Sequence, residues 1–232
     1  MRMENTSPGK PFPLGAELSD GGANFAVFSR NGTRVILNLY DNPDATDPYA
    51  FVELDPKKNR TGDIWHVFVP GVKAGTLYLY QVDGPFEPSQ GHRYNAKQLL
   101  FDPYAKALTP VSVFGNLPPT YKTPLDKTDV ELAESRHLYR FPKCVVIDDA
   151  AFDWEGDMPI NRPLSRSIIY EVHTKGFTAG KGSGVRNPGT YDGFREKIPY
   201  LQALGITAVE LLPVYEFDEY ENTNVNPRTG ER

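Results

Sequence analysis

The chain has 232 residues, 25 of them lysine or arginine and 30 aspartate or glutamate, a net charge of −5, with 39% hydrophobic and 12% aromatic residues. Thirteen tyrosines, thirteen phenylalanines and two tryptophans argue against a disordered chain, which lacks the bulky apolar side chains that a core needs. The mild negative charge, without a run of five or six like charges, argues against nucleic acid or an anionic membrane surface as partner, and the length bounds the chain at one or two domains.

From Asn24 to about Val82 the sequence breaks into five short apolar segments, NFAVFS, RVILNLY, YAFVEL, IWHVFV and LYLYQV. In the second, Val35, Leu37 and Leu39 point one way, the period of a half-buried strand. Asn31-Gly32, Asp41-Asn42-Pro43, Asp55-Pro56 and Pro70-Gly71 punctuate the gaps as turns. Five short strands so spaced predict a small β-sandwich over residues 1–115, with an edge taken to include Pro11 to Gly15. DPYAKAL is expected to start a short helix at Asp102, with Pro103 in its first turn.

Residues 116–165 carry Pro118, Pro119, Pro124, Pro142, Pro159 and Pro163 and little periodicity, so they read as a surface linker. One added strand is expected in it, the apolar run KCVVID ending at Asp148. Its Cys144 is the chain's single cysteine, which excludes an intramolecular disulfide and fits a reduced compartment. The polar, proline-broken first fifteen residues do not read as a secretory signal, and no segment approaches about 20 apolar residues. A cytoplasmic location is the expectation, under which the Asn-x-Ser/Thr triplets at Asn5, Asn31 and Asn59 are chance matches.

Residues 166–232 begin with an apolar, β-branched start at Ser167 to His173, followed by a long glycine-containing loop. Phe194, Ile198, Leu201 and Leu204 then recur at helical spacing, with Gly205 where a C-terminal cap belongs and Pro199 awkwardly inside. ITAVELLPV reads as a strand buried on both faces of a parallel sheet. Strand, helix, strand is one βαβ unit.

Several strings carry a family resemblance. PFPLGA at 11–16, NFAVFS at 24–29, Trp65-His66-Val67, the Val82-Asp83-Gly84-Pro85 turn, GHRYN at 91–95 and DPYAKAL at 102–108 resemble the N-terminal carbohydrate-binding-type module of bacterial glycogen debranching enzymes and isoamylases, members of the α-amylase superfamily. YEVHTKGFT at 170–178 and GTYDGFREKIPYLQALGITAVELLPV at 189–214 are similar to the first strand, first helix and second strand of their catalytic barrel, and NPRTGER to the insertion after strand two. The resemblance implies an immunoglobulin-like sandwich, mainly β, followed by the first βαβ unit of a truncated (β/α)8 barrel. It implies hydrolysis of α-1,6 branch linkages in glycogen or a related α-glucan, with retention. The alternative is a non-catalytic α-glucan-binding or subunit-interaction module.

Retaining glycosidases use two carboxyl groups about 5 to 5.5 Å apart, one nucleophile and one acid/base. In the family these lie in motifs of the type DVVxNH, GFRxD and a later HD, none of which occurs in this sequence. No catalytic residue is therefore assigned, and no metal or cofactor is expected. Glu171 and Glu210, in the middle of adjacent strands, read as structural, because sites of this architecture lie at strand C-terminal ends. His173 and Lys175 lie nearer the first strand's exit, and Pro213, Tyr215 and Glu216 at that of the second. The loop GKGSGVRNPG fails the dinucleotide fingerprint, since Val185 stands where a third glycine is needed.

Sugar recognition rests on aromatic rings that pack against the C–H faces of glucose. The candidates are Trp65, Phe86, His173 and Tyr215. Trp65 shares a strand face with Val67 and Val69, which favours core packing. Glycogen-binding relatives tend to carry a tryptophan beyond the V-D-G turn and a lysine on the strand before it, where this chain has Phe86 and Leu79. Trp154 reads as an interdomain wedge or surface stacker, and His92 and Arg93 as polar neighbours of Phe86 or as interdomain docking residues. Uncovered apolar faces and an unpaired edge in the βαβ unit predict self-association.

Overall fold

The computed structural model describes residues 1–110, 142–215 and 228–229. The chain divides into two compact units, with the break between Phe152 and Asp153.

The first unit is a sandwich of two antiparallel sheets. One runs β1 (Gly15–Ser19), β2 (Gly22–Phe28), β6 (Ile64–Pro70), β5 (Arg60–Thr61) in space. The other runs β10 (Cys144–Val145), β7 (Leu77–Asp83), β3 (Arg34–Tyr40), β4 (Ala50–Leu54). All five apolar segments form strands, and the KCVVID run supplies β10, antiparallel to β7. Asp20-Gly21 joins β1 to β2 in a two-residue turn, with Gly21 at φ +82°, a conformation that favours glycine.

Register decides the core. Val35, Leu37 and Leu39 of β3 stand opposite Val82, Tyr80 and Tyr78 of β7 and Leu54, Val52 and Ala50 of β4, so one face of this sheet is apolar throughout. It meets Phe25 and Val27 of β2 and Trp65, Val67 and Val69 of β6, which share a face by the same alternation. The Phe25 and Tyr78 rings meet edge to face at 5.1 Å, linking the sheets.

Two local expectations fail here. The edge strand starts at Gly15, so Pro11 to Leu14 precede it. DPYAKAL forms turns, not a helix: the Asp102 side chain accepts a hydrogen bond from the Tyr104 N–H at 2.8 Å and its carbonyl accepts from Ala105 at 3.0 Å. An aspartate that bonds its own backbone this way offers the chain a competitor to the helix.

In the second unit β11 (Ile169–Val172) pairs in parallel with β12 (Ala208–Leu211). Between them lie α1 (Thr174–Thr178), a 3-10 turn at Lys181–Ser183, α2 (Tyr191–Arg195) and α3 (Ile198–Ala203). Phe194 thus falls in α2, and the helix that Gly205 closes begins at Ile198 with Pro199 in its first turn, the place where its missing N–H leaves no intrahelical bond unmade. Gly205, at φ +81°, closes α3 as expected: its N–H donates to Gln202 O and that of Ile206 to Leu201 O, the paired bonds of a Schellman end. Phe177 packs against Tyr170 and Phe194, while Val172 and Leu201 are buried. The expectation that ITAVELLPV is buried on both faces is not met: all four residues of β12 are exposed. A parallel pair needs a layer on each face, and the described residues of this unit do not supply both.

Candidate functional site

The β7 strand of the sandwich leads through Val82-Asp83-Gly84-Pro85 into a small hairpin, β8 (Phe86–Glu87) and β9 (His92–Arg93). Its turn is a 3-10 segment, Pro88–Gln90, ended by Gly91 at φ +82°, whose N–H donates to Pro88 O. The Asp83 carboxylate accepts from the Gly84 N–H at 2.9 Å. A Cβ on Gly84 would lie 2.7 Å from the Tyr94 ring, so this position must be glycine for Tyr94 to pack there. The hairpin holds Phe86 outward, 51% exposed, directly across from Arg93, and the His92 and Tyr94 rings are 6.4 Å apart. Phe86 and Arg93 therefore share one face of the hairpin, while His92, the register partner of Glu87, belongs to the other.

Two grooves lie beside this hairpin. One, of about 280 Å³, is lined by His92, Arg93, Tyr94, Asn95 and Gln98 among others. The second, of about 470 Å³, is lined by Phe28, Arg30, Asn31, Tyr80, Tyr94 and Phe101 among others.

Trp65 does not contribute to a sugar-binding surface. Its ring is wholly buried, its indole N–H donates to Ser29 O at 3.1 Å, and the Arg60 guanidinium stacks 5.0 Å from its centroid. A ring enclosed on all sides presents no face to a ligand, so the core reading replaces the binding one. Leu79 is likewise fully buried, which explains an apolar residue at that position.

In the second unit His173 is exposed and caps α1: its Nδ1 accepts a hydrogen bond from the Gly176 N–H at 2.9 Å. That is a loop-supporting role, and the Nε2 edge is left for other work. Tyr215 is exposed beyond the end of β12, and Lys175 and Pro213 are exposed as well. Glu216 lies outside the described residues. Glu171 and Glu210 are register partners across the strand pair. Trp154 is 66% exposed. Among the described residues there is no cluster of three or more metal-ligating side chains, and no helix is long and apolar enough to cross a membrane.

Beneath the grooves lies a buried polar cluster that sequence patterning does not reveal. Tyr78 donates to Asp102 Oδ2 at 2.9 Å, and the Asp102 N–H meets Cys144 Sγ at 3.3 Å. Burial pushes the Asp102 carboxyl above the ordinary carboxylate range, against the lowering effect of the Tyr104 N–H and the Tyr78 hydroxyl. Burial also raises the Cys144 thiol to about 12, which keeps it protonated and unreactive. The Tyr80 hydroxyl is buried without a hydrogen-bond partner.

Residues 13–105 match the family described as carbohydrate-binding module 48 (isoamylase N-terminal domain). Over nearly its whole length the chain is similar to isoamylase 1 of Arabidopsis thaliana, 38% identical over 228 residues that are 97% of this chain and 27% of that protein. It is 41% identical to isoamylase 3 of Oryza sativa subsp. japonica, over 96% of this chain and 28% of the relative. The glycogen debranching enzyme of Serratia proteamaculans is 39% identical over 92% of this chain and 31% of its own length. Along nearly its whole length the chain is therefore similar to isoamylases and to a glycogen debranching enzyme.

It spans between a quarter and a third of the length of these relatives. The fold agrees with solved pullulanases. That of Group B Streptococcus, crystallised with maltotetraose, superposes with a TM-score of 0.61 at 23% identity over 89% of this chain and 24% of its own. The Paenibacillus barengoltzii enzyme gives 0.63 at 22% identity, over 91% and 28%. The Phe86 hairpin lies within the segment that matches the carbohydrate-binding module, 13–105, whereas His173 and Tyr215 lie outside it.

Proposed function

We propose that this chain provides the glucan-recognising module and the first βαβ unit of the (β/α)8 barrel of an enzyme that hydrolyses α-1,6 branch linkages in glycogen or a related α-glucan. The observation that carries the reading is the alignment with isoamylases and a glycogen debranching enzyme, which runs through both units of the chain. In this reading residues 1–115 are the module, 116–165 a linker and 166–232 barrel. Phe86 offers a ring to a glucose face, while His173 and Tyr215, at or beyond the strand ends, border the sugar cleft. The chain contributes no catalytic carboxylate, because the motifs that carry them do not occur in it. A reduced, cytoplasmic setting fits its single, buried thiol.

The purified chain is expected to release no reducing ends from glycogen or amylopectin above a blank. It is expected to be retarded in affinity electrophoresis through glycogen, and less so as Phe86→Ala, a change at a half-exposed residue that leaves the unfolding transition in place. Hydrolysis above the blank would overturn the assignment of the catalytic groups, and unretarded migration would overturn glucan recognition. A role in contacting another subunit is the second reading, favoured by the exposed apolar strand β12.

A further inference from the structure

The Phe86 hairpin is one end of a longer feature. The groove at the hairpin and the larger one share Val82, Tyr94 and Leu100 in their linings, so the two adjoin at these residues, and the pair is called the trough. At one end the trough reaches His92 and Arg93, the latter paired across the hairpin with Phe86. At the other it reaches Phe28 and Arg30, at and just beyond the end of β2.

The far end repeats the chemistry of the near one. Phe28 is 54% exposed, and the Arg30 guanidinium lies 5.9 Å from its ring centroid. Arg30 Nε donates to Asp63 Oδ2 at 2.9 Å, which fixes the guanidinium beside the ring and offsets its charge. Phe28 and Arg30 both line the far groove, and at the near end Arg93 lines the groove with its register partner Phe86 outward beside it. Among the described residues no carboxylate lines either groove, so a cation finds no partner there. The polar lining is guanidinium, imidazole, amide and hydroxyl, which suits a neutral ligand with many hydroxyl groups and apolar ring faces. The smaller groove, about 280 Å³, falls just below the range of about 300 to 1,000 Å³ typical of small-ligand pockets and the larger, about 470 Å³, in its lower half, so a chain of several sugar units would draw on both.

We propose that this trough is an extended site for a linear α-glucan segment, with Phe86, His92 and Arg93 holding one end and Phe28 and Arg30 a separate subsite at the other. The proposal rests on the glucan-binding reading above and adds to it a chain-length preference. Isothermal titration of the full chain with maltotriose and maltoheptaose tests it. The longer sugar is expected to bind more tightly, and Phe86→Ala to weaken both. Phe28→Ala is expected to weaken maltoheptaose about fivefold and leave maltotriose unchanged, the loss of one aromatic contact. Arg30→Gln, at an exposed side chain, should move the two sugars in the same unequal way and guards against a folding defect in the first variant. Equal effects of Phe28→Ala and Arg30→Gln on both sugars, or none on either, would overturn the extended site while leaving glucan binding at Phe86 standing. A wild-type chain that binds neither sugar would instead refute the glucan reading itself.

Discussion

The sandwich and the parallel strand pair contain equally apolar strands and treat them in opposite ways. In the sandwich, Val35, Leu37, Leu39, Trp65, Val67 and Val69 are all fully buried, because each sheet turns its apolar face to the other. In the second unit, Ile169, Val209, Leu211, Leu212 and Val214 are exposed, and Val172 and Leu201 are the buried apolar side chains. Burial is thus a property of layers and not of a strand's composition. The sharpest way to break this comparison is to remove the centre of the sandwich. Trp65→Ala is expected to cost about 3 to 5 kcal/mol, from lost transfer energy and the cavity left behind. Leu204→Ala, at a half-exposed residue closing α3, is expected to change stability by no more than about 0.5 kcal/mol. Urea unfolding followed by circular dichroism measures both. Costs of similar size would mean that the two units do not differ in how their cores are built.

The second expected effect is on association. A two-stranded sheet with exposed valines and leucines carries unpaired backbone groups along its outer edges and apolar area beside them. The chain is expected to associate with rising concentration, and Val209→Lys, which places a charge on that open face, to shift it toward monomer. Sedimentation velocity over a range of concentrations measures this. A monomeric wild type would show that the exposed strand pair is not sticky, and an unshifted variant that association runs through some other surface.

The sandwich was legible in the sequence because its strands alternate and its turns are marked: Val35, Leu37 and Leu39, for example, carry the phase that the register confirms. β10 was legible as an isolated apolar run. Where the reading failed at 102–108, a local side-chain bond decided the outcome: Asp102 bonds the Tyr104 N–H and forms a turn in place of a helix. The groove beside Phe28 was not legible, because it is made by the end of β2 together with residues from Tyr80 to Pro103, about 50 or more positions further along the chain. Trp65 illustrates the limit of residue type: alternation put it with Val67 and Val69, and that phase outweighed its chemical suitability for stacking on sugar.

The smallest expected effect concerns Asp102, which ties the cover of the sandwich to Tyr78 in β7 and whose carboxyl is raised by burial. An acid with a higher pKa in the folded state holds its proton more tightly there than in the unfolded chain. The folded state then binds more protons over the window that begins near the ordinary carboxylate value of about 4 and extends upward to the raised one. Across that window stability falls as pH rises, and below it the contribution is constant. Surface carboxylates elsewhere such as Glu53, lowered by its hydrogen bond to Arg34, act in the opposite sense, losing their contribution as pH falls through the lowered value. Asp102→Asn removes the first trend and leaves the second, because an amide accepts from the Tyr104 N–H without ionising. Urea midpoints at a series of pH values from about 4 to 7 should therefore rise more steeply with pH in the variant than in the wild type. Parallel curves would mean that the Asp102 carboxyl titrates alike in folded and unfolded chains, and that the cluster beneath the trough is more open to water than its burial implies.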